Sequence, residues 1–328
     1  MLEVEWNNGL VVSGFPLRVD ARKSVAEAIV THAHADHIAA HRRVICTEMT
    51  ACLMQLRVRG AREFETLAYG AGMTREGWQV TLHSAGHVPG SAMVLVEGAE
   101  GRVLYTGDFK LRQGLACPVA DPPRADVLVM ETTFGLPRYV MPSAEEVMGM
   151  MRRFCERAWE EGRCPVLAGY PLGKAQEIIR ILQEAGWVPC LDRQVLRTTE
   201  VVAAGDSGFP RRFEGLPDGW RNGEGLVGRV VVGTPAFARA VRGARFSVAM
   251  VSGWGMDGGS RYRYGVEEVI PLSDHADYPD LVRLVERVAP RRVFTLHGFS
   301  REFAADLRRR GVEAWCLAGG DQLEFGWG

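Results

Sequence analysis

Short apolar runs, each bounded by Gly, Asp or Pro, follow one another through the first third of the chain. They are rich in β-branched residues, which is typical of short strands in a sheet. The runs are LVVSG (10–14), EAIVTH (27–32), RVICT (43–47), WQVTLHS (78–84), SAMVLVEG (91–98), RVLYTGD (102–108) and DVLVMET (126–132). One helix is predicted among them, over residues 48–59.

The middle and the end of the chain alternate between helical and strand patterns. Residues 143–162 open with Ser143 and Glu146 at the spacing of a capping box and continue with an apolar helical stripe. VLAGYP, KAQEIIRILQEAG and VPCL then indicate strand, helix and strand, which favours a parallel α/β unit. After a loop rich in Gly and Pro at 206–225, residues 276–319 indicate helix, strand, helix and strand in turn.

Length and composition predict one large or two moderate globular domains. The 328 residues are 47% hydrophobic and 24% charged, which is ordinary for a protein with a substantial core. No apolar run is long enough for a membrane span, and the acidic start MLEVEWNNGL lacks the layout of a signal peptide. Seven scattered cysteines without a C-x-x-C pair predict reduced thiols and a cytoplasmic protein.

Positive charge is concentrated in one part of a chain whose formal net charge is only −1. Nine arginines but four acids lie between Ser207 and Tyr264. A basic segment beside an acidic remainder is suited to binding phosphate groups. The alternative is solvated surface in an arginine-rich composition, since lysine occurs only at positions 23, 110 and 174.

Three histidines and an aspartate crowd the stretch THAHADHIAA, directly after an apolar strand. His32 and His34 point the same way if the backbone stays extended, while Asp36 and His37 follow round the turn. Crowded imidazoles and carboxylates are favourable around a divalent cation, and Zn²⁺ takes nitrogen and oxygen ligands. The stretch therefore predicts a metal site.

Other polar residues occupy similar places beside apolar strands. They are His87 in SAGHVPGS, Asp108 in YTGDF, His275 in SDHAD and His297 in TLHG. Any one of them alone is more typical of a turn, but their recurrence predicts that they join the same site. His41 and His83 do not fit this set and are interpreted as ordinary surface or core histidines.

The ordered set of motifs resembles the metallo-β-lactamase superfamily and, within it, the β-CASP nucleases. The motifs are HAHADH (32–37), GH (86–87), GD (107–108), METTFG (130–135), GYPLGKAQEI (169–178), LSDHAD (272–277) and LHG (296–298). The run LRVDARKSVAEAIVTHAHADH, with SGW before LSDHAD, is similar to the bacterial ligase-associated DNA exonucleases. This resemblance implies an α/β fold: an αββα sandwich formed by residues 1–135 and 269–328, with an inserted β-CASP α/β domain over 136–268.

The resemblance also implies two divalent metal ions, Zn²⁺ or alternatively Mn²⁺. The implied ligands are His32, His34 and His87 for one ion, Asp36, His37 and His297 for the other, and Asp108 for both.

Catalytic roles follow from the same resemblance. It implies attack on phosphorus by a hydroxide that bridges the metals, with His275 as general acid, Glu131 orienting the His275 imidazole, and Asp20 orienting the histidine loop. A structural ion pair is the alternative for Glu131 and His275. The implied insertion contains the basic stretch 207–264 and the candidate contacts to nucleic acid, Lys174, Arg261 and Arg263. Trp254, Tyr262 and Tyr264 are candidates for base stacking, with ordinary packing as the alternative.

The predicted function is hydrolysis of single-stranded DNA by an exonuclease of DNA repair, with a functional link to a DNA ligase. RNA processing, or activity on both polymers, is the alternative, because His297 is the residue type of the RNA-processing relatives. A small-molecule metallo-hydrolase would share the first motifs but would not need GYPLGKAQEI or SDHAD. A non-catalytic scaffold would have lost ligands, and a di-iron redox member would carry an acid in place of His34. The chain departs from the family pattern at Lys174, where arginine is more common, and at Asp274, where many relatives have a small residue.

Overall fold

The computed structural model describes residues 2–317 except 61, 223, 242 and 244. Arg242 of the basic stretch and the last two residues of the strand predicted at 313–319 lie outside the described residues. The strands are β1 (Val4–Trp6), β2 (Leu10–Val12), β3 (Arg18–Val19), β4 (Glu27–Ile29), β5 (Arg43–Cys46), β6 (Glu63–Thr66), β7 (Gly72–Arg75), β8 (Trp78–Ser84), β9 (Ala92–Gly98), β10 (Gly101–Tyr105), β11 (Val127–Glu131), β12 (Cys164–Ala168), β13 (Cys190–Leu191), β14 (Glu214–Gly215), β15 (Val231–Gly233), β16 (Phe246–Val251), β17 (Glu268–Ile270), β18 (Arg292–Leu296) and β19 (Ala314–Cys316). The α-helices are α1 (Glu48–Arg57), α2 (Ala144–Glu160), α3 (Lys174–Glu184), α4 (Arg193–Gly205), α5 (Pro235–Ala240), α6 (Ser260–Tyr264), α7 (Tyr278–Val288) and α8 (Ser300–Arg309).

The chain divides into two compact units. The first contains the residues before Met141 and those from His275 onward, and the second is Met141–Asp274. The boundaries predicted from the sequence lie a few residues earlier at both ends. That the second unit is a β-CASP domain stays a prediction.

Two sheets form the middle of the first unit. Their strand orders are β1-β2-β3-β4-β5-β6 and β19-β18-β11-β10-β9-β8-β7. Strands β3 to β6 of the first sheet run parallel, and so do β10, β11, β18 and β19 of the second. Loops that follow the carboxyl ends of parallel neighbours therefore meet at one edge of each sheet.

The two sheets bury their facing sides against each other. Val19 and Ile29 of the first sheet and Val94, Val103 and Val129 of the second belong to one buried apolar cluster. Successive side chains of a strand point to opposite faces, so only every second residue of β9, β10 and β11 enters this cluster.

Helices cover the outer sides of the sheets. The alternate residues Leu95, Leu104 and Leu128 of the second sheet pack with Leu284 of α7 and Phe303 of α8 in a second buried cluster. Helix α1 packs on β5 and β6 of the first sheet. The layers follow the order helix, sheet, sheet, helix, and the predicted αββα sandwich is confirmed. Because the central strands are covered on both faces, their sequences are continuous apolar runs.

The second unit is a parallel α/β unit of its own. Its six-stranded sheet has the order β14-β13-β15-β12-β16-β17, and neighbouring strands in it run parallel. Val166, Val231 and Val248 contribute to its buried core. The parallel arrangement predicted from VLAGYP to VPCL is confirmed.

The helix predicted to start at Ser143 begins where its capping signal lies. The Glu146 amide donates to Oγ of Ser143 over 3.2 Å, and the Ser143 amide donates to the Glu146 carboxylate over 2.7 Å. Both partners of the capping box are present, and this prediction is confirmed.

Among the described residues, no helix combines the length and apolarity needed to cross a membrane. All seven cysteines carry free thiols. Burial raises the pKa of Cys46 and of Cys155 to about 12, so both thiols stay protonated at neutral pH.

Candidate metal centre

The predicted site residues of the first unit lie where strands end. The histidine loop follows β4, Asp20 follows β3, and His297 follows β18. Asp108 follows β10, and Glu131 is the last residue of β11. Because these strands are parallel neighbours within their sheets, side chains from distant parts of the sequence meet at one edge.

His87 reaches the same place from the turn between β8 and β9. Gly86 and Gly90 adopt φ values of +69° and +83° on either side of it. A Cβ on Gly86 would lie 2.3 Å from the Lys110 carbonyl oxygen, so the close approach of these two loops requires glycine. Oγ of Ser91 accepts a hydrogen bond from the His87 amide over 3.2 Å, which fixes the turn.

Four of the predicted ligands form one compact group. Each of His32, His34, His87 and Asp108 offers an atom, and all four atoms lie within 4.8 Å of one another. Oδ2 of Asp108 lies 3.5 Å from Nε2 of His32 and 3.7 Å from Nε2 of His87. This is the set that the resemblance implies for the first ion, with Asp108 as the shared ligand.

The residues implied for the second ion lie near His37, which also approaches Asp108. Nε2 of His37 is 3.5 Å from Oδ2 of Asp108 and 3.6 Å from Oδ2 of Asp36. The His37 and His297 rings are 6.3 Å apart between centroids. His297 itself has a φ of +57°, a left-handed conformation that is uncommon for residues other than glycine.

Asp20 holds the histidine loop from behind. Its Oδ2 lies 2.7 Å from Nδ1 of His37, and it also accepts the Thr31 hydroxyl over 2.7 Å. Its Oδ1 accepts the Thr31 amide over 2.8 Å. A carboxylate on Nδ1 keeps the proton there and leaves Nε2, the atom that faces Asp36 and Asp108, able to bind a cation.

Glu131 and His275 form a second polar pair beside the cluster. Nδ1 of His275 lies 2.8 Å from Oε1 of Glu131, which also accepts the Phe109 amide over 3.0 Å. The other oxygen of this buried carboxylate, Oε2, accepts the amide and hydroxyl of Thr133. The His275 side chain is 23% exposed, so part of it reaches solvent while Glu131 fixes its Nδ1.

Charge is distributed unevenly over the cluster. Burial lowers the pKa of His32 well below its ordinary value, and the imidazoles of His37 and His34 lower it further. Burial alone would also lower the pKa of His37, but the carboxylates of Asp108 and Asp20 outweigh it and hold that pKa well above the ordinary value. Burial would raise the pKa of Asp108, but the positive charges of His37 and His275 hold it well below its usual range.

The cluster has the properties of a cation site. Nε2 of His32 and Nε2 of His297 are buried and have no hydrogen-bond partner among the described residues. Buried nitrogen atoms without a partner are costly in a folded protein, and a metal ion would remove that cost. The set of imidazole nitrogens and carboxylate oxygens suits Zn²⁺ and also other first-row divalent ions. The residues present therefore fit a metal centre.

The predicted contacts to nucleic acid lie in the second unit and differ in exposure. Arg261 and Arg263 are exposed on the short helix α6, and the Tyr262 side chain between them is 87% exposed. Lys174 is only 3% exposed. Its ammonium group donates to the Leu272 carbonyl and to the Asp274 carboxylate, each over 2.8 Å. A buried and paired ammonium group does not favour a surface contact for Lys174.

Two arginines near the cluster have no counterpart in the sequence-based prediction. The half-buried Arg57 at the end of α1 donates to the carbonyl oxygen of Ala33, between His32 and His34, over 2.7 Å. The exposed Arg22 lies over the ring of Trp6, and that ring contacts the His297 ring. Arg57 belongs to no motif and Arg22 is one position in the run LRVDARKSVAEAIVTHAHADH, and only their three-dimensional neighbours show that both lie near the site.

Comparison with known proteins agrees with this geometry. A family model described as "Zn-dependent metallo-hydrolase RNA specificity domain" matches residues 261–317. A protein of Opitutus terrae described as "Probable DNA ligase" is 41% identical over 99% of this chain and 32% of its own length. The "5' exonuclease Apollo" of Gallus gallus is 31% identical over 55% of this chain and 42% of its own length. The "DNA cross-link repair protein SNM1" of Arabidopsis thaliana is 29% identical over 53% of this chain and 39% of its own length. The chain thus spans less than half the length of these relatives.

A solved structure shares the fold. A protein of unknown function from Enterococcus faecalis matches with a TM-score of 0.59 at 12% identity, over 90% of this chain and 80% of that one. The αββα sandwich, the clustered histidines and aspartates, and the similarity to relatives along the whole chain agree with one another. The chain belongs to the β-CASP nucleases of the metallo-β-lactamase superfamily.

Proposed function

We propose that this protein is a two-metal nuclease that hydrolyses phosphodiester bonds, acting as an exonuclease on single-stranded DNA. The observation that carries the proposal is the position of Asp108. Its Oδ2 lies 3.5 Å from Nε2 of His32, 3.7 Å from Nε2 of His87 and 3.5 Å from Nε2 of His37, so one carboxylate approaches residues implied for both ions. A carboxylate shared by two groups of ligands suits two divalent ions that act together on one phosphate.

The chain's own residues would hold and orient these ions. In this proposal His32, His34 and His87 would hold one ion, Asp36, His37 and His297 would hold the other, and Asp108 would be available to both. Asp20 keeps Nε2 of His37 directed at its ion. A pair of divalent ions, when bound, lowers the pKa of a water molecule and neutralises the negative charge that develops on the phosphate.

His275 completes the proposed mechanism as general acid. Glu131 accepts the Nδ1 proton of its imidazole, and the other ring nitrogen, Nε2, would give a proton to the departing ribose oxygen. The Phe109 amide and Thr133 fix Glu131, so the imidazole has one preferred orientation. Both residues are thereby assigned a role beyond a structural ion pair.

DNA is proposed as the substrate polymer because of the named relatives. The Apollo and SNM1 proteins are described by 5′ exonuclease activity and by DNA cross-link repair, and the Opitutus terrae protein by DNA ligation. The last match supports a functional link between this chain and a DNA ligase. RNA is the second candidate, because the matching family model is described by RNA specificity and a Saccharolobus solfataricus relative is described as an RNase.

A cleavage assay tests the proposal directly. Matched single-stranded DNA and RNA, labelled at either end, are incubated with the wild type, Asp36→Ala or Asp121→Ala in Zn²⁺ or Mn²⁺. The Asp121 side chain is 87% exposed, so its variant controls for the loss of an aspartate. We expect the wild type and Asp121→Ala to shorten DNA from one end, and Asp36→Ala to be inactive.

Each alternative gives a different result. Cleavage of RNA alone would replace DNA as the substrate. Absence of cleavage of both polymers by folded, metal-loaded wild type would overturn the nuclease proposal and favour a small-molecule hydrolase.

A further inference from the structure

Trp6 contacts one of the candidate metal ligands from outside the cluster. Its ring meets the ring of His297 edge-on, with centroids 5.5 Å apart and an angle of 89° between the planes. Trp6 is half-buried and packs against the apolar cluster between the two sheets. The indole is therefore fixed beside His297.

The guanidinium group of Arg22 lies over the same indole. Its central carbon is 5.9 Å from the ring centroid, and the Arg22 side chain is exposed. A cation over the face of a tryptophan is attracted by the ring, which restricts the conformations of the arginine. The planar guanidinium group is then held beside the metal centre, and the Arg22 side chain remains exposed to solvent.

The backbone that carries Arg22 is fixed as well. The backbone of the next residue, Lys23, makes two hydrogen bonds with the Asn8 side chain. The Lys23 amide donates to Oδ1 of Asn8 over 2.7 Å, and Nδ2 of Asn8 donates to the Lys23 carbonyl over 3.3 Å. Gly9 packs so closely against the backbone of β3 that a Cβ added to it would lie 2.5 Å from the Val19 carbonyl oxygen. The turn after β1 thus holds the segment around Arg22 in place.

We infer that Arg22, held on the face of Trp6, binds a backbone phosphate of the substrate strand on the His297 side of the metal centre. This inference rests on the proposed function, because it assigns a contact for the same strand. A planar guanidinium matches the oxygens of a phosphodiester in a way that an ammonium group does not. One fixed cation beside the centre would set the register of the strand, since phosphate contacts position a nucleic acid without reading its sequence.

The test compares two neighbouring residues that carry the same charge. Arg22→Gln removes the proposed contact, and Lys23→Gln removes an exposed positive charge one residue along the chain. Binding of a phosphorothioate single-stranded DNA, which resists cleavage, is measured by fluorescence anisotropy at several salt concentrations. Both positions are exposed, so neither variant should disturb folding, and a thermal melt checks this.

We expect Arg22→Gln to bind about tenfold more weakly at low salt than the wild type. The slope of log affinity against log salt should fall in magnitude by about 0.7, the contribution of one phosphate of a single strand. KM should rise while kcat changes little, because the contact is made equally before and during the reaction. Lys23→Gln should resemble the wild type in all three measurements.

Two results would overturn the inference and leave the proposed function intact. One is that Arg22→Gln binds DNA as tightly as the wild type does, while the wild type is shown to cleave DNA. The other is an equal loss in Arg22→Gln and Lys23→Gln, which would indicate only a general effect of net charge. Failure of the wild type itself to bind DNA or RNA would instead contradict the proposed function.

Discussion

The orientation of His37 depends on Asp20, a residue that does not face the proposed metal ions. Asp20→Asn keeps the size of the side chain but removes the negative charge of the carboxylate that faces Nδ1 of His37. Carboxylates that orient metal-binding histidines typically contribute about 10–100-fold to metal affinity. We expect a loss of that size in competition with a chelating dye. Asp121→Asn is the matched control, and an unchanged affinity in Asp20→Asn would contradict the assigned role.

At His275, proton transfer and metal binding are separable. His275→Gln removes the proposed general acid, and we expect kcat for DNA cleavage to fall about 10²–10⁴-fold. The metal content, measured by atomic emission, should stay at the wild-type value, because His275 is not a proposed ligand. Loss of metal in this variant would instead make His275 a ligand, an arrangement that its closeness to Asp108 and Glu131 allows.

The raised pKa of His37 predicts how metal affinity varies with pH. Below that pKa the imidazole carries a proton that an incoming cation must displace, so the affinity is weakened. The apparent affinity should rise about tenfold per pH unit for each proton released, until the pH passes the folded pKa of His37. Titrations with Mn²⁺ between pH of about 6 and 8 test this across the range where histidine titrates. Asp20→Asn should shift the rise to lower pH, and an affinity independent of pH would contradict the prediction.

Among the elements of the second unit, α3 is tied to the last residues of that unit by a buried ion pair. Lys174 at the start of α3 bonds the Leu272 carbonyl and the Asp274 carboxylate. Lys174→Met leaves that carboxylate without the ammonium group, and we expect unfolding to require about 3 kcal/mol less free energy. Replacing both Lys174 and Asp274 with apolar residues should restore most of this loss.

The control is an exposed pair in the same unit. Arg152 and Glu156 lie four residues apart on α2, and the Arg152 side chain is 68% exposed. Arg152→Gln should leave the free energy of unfolding in urea nearly unchanged, because an exposed ion pair contributes little. A similar small cost for Lys174→Met would show that its pair contributes little to stability.

The elements predicted from the sequence are ones with a clear apolar pattern or a capping signal. Strands β8 to β11 and helices α1, α2, α7 and α8 lie where apolar periodicity and capping signals place them. Strand β6 was not predicted, because its sequence EFET is polar and no residue of it is fully buried. Helix α4 was also missed, since threonines occupy two of its five buried positions and dilute the apolar stripe.

The candidate site shows the same division. The histidines and aspartates could be found because they occur in short motifs at strand ends, and the structure brings Asp20, Glu131 and His275 to the same edge. The burial of Lys174 and the stacking of Arg22 on Trp6 could not be found, because both depend on residues far apart in the sequence. The proposed roles of all these residues stay predictions.

For the molecule as a whole, bound metal should stabilise the fold. A ligand at about 1,000 times its dissociation constant adds about 4 kcal/mol to the free energy of unfolding. We therefore expect the melting temperature to fall when EDTA is added and to recover with Zn²⁺ or Mn²⁺. A phosphine reductant, which carries no thiol to compete for the metal, should leave it unchanged, because all seven cysteines are free thiols. A melting temperature insensitive to EDTA in metal-loaded protein would contradict a metal centre in the fold.

The order of the site along the chain has a consequence during protein synthesis. Strand β18 pairs directly with β11, yet the ribosome makes it only after all of Met141–Asp274 has been added. His275 and His297 leave the ribosome last, long after the histidine loop. A nascent chain therefore contains the early ligands but lacks the proposed general acid and the last ligand. Under the proposed function, an incomplete polypeptide, whether still on the ribosome or released by premature termination, would lack the residues needed to cleave nucleic acid.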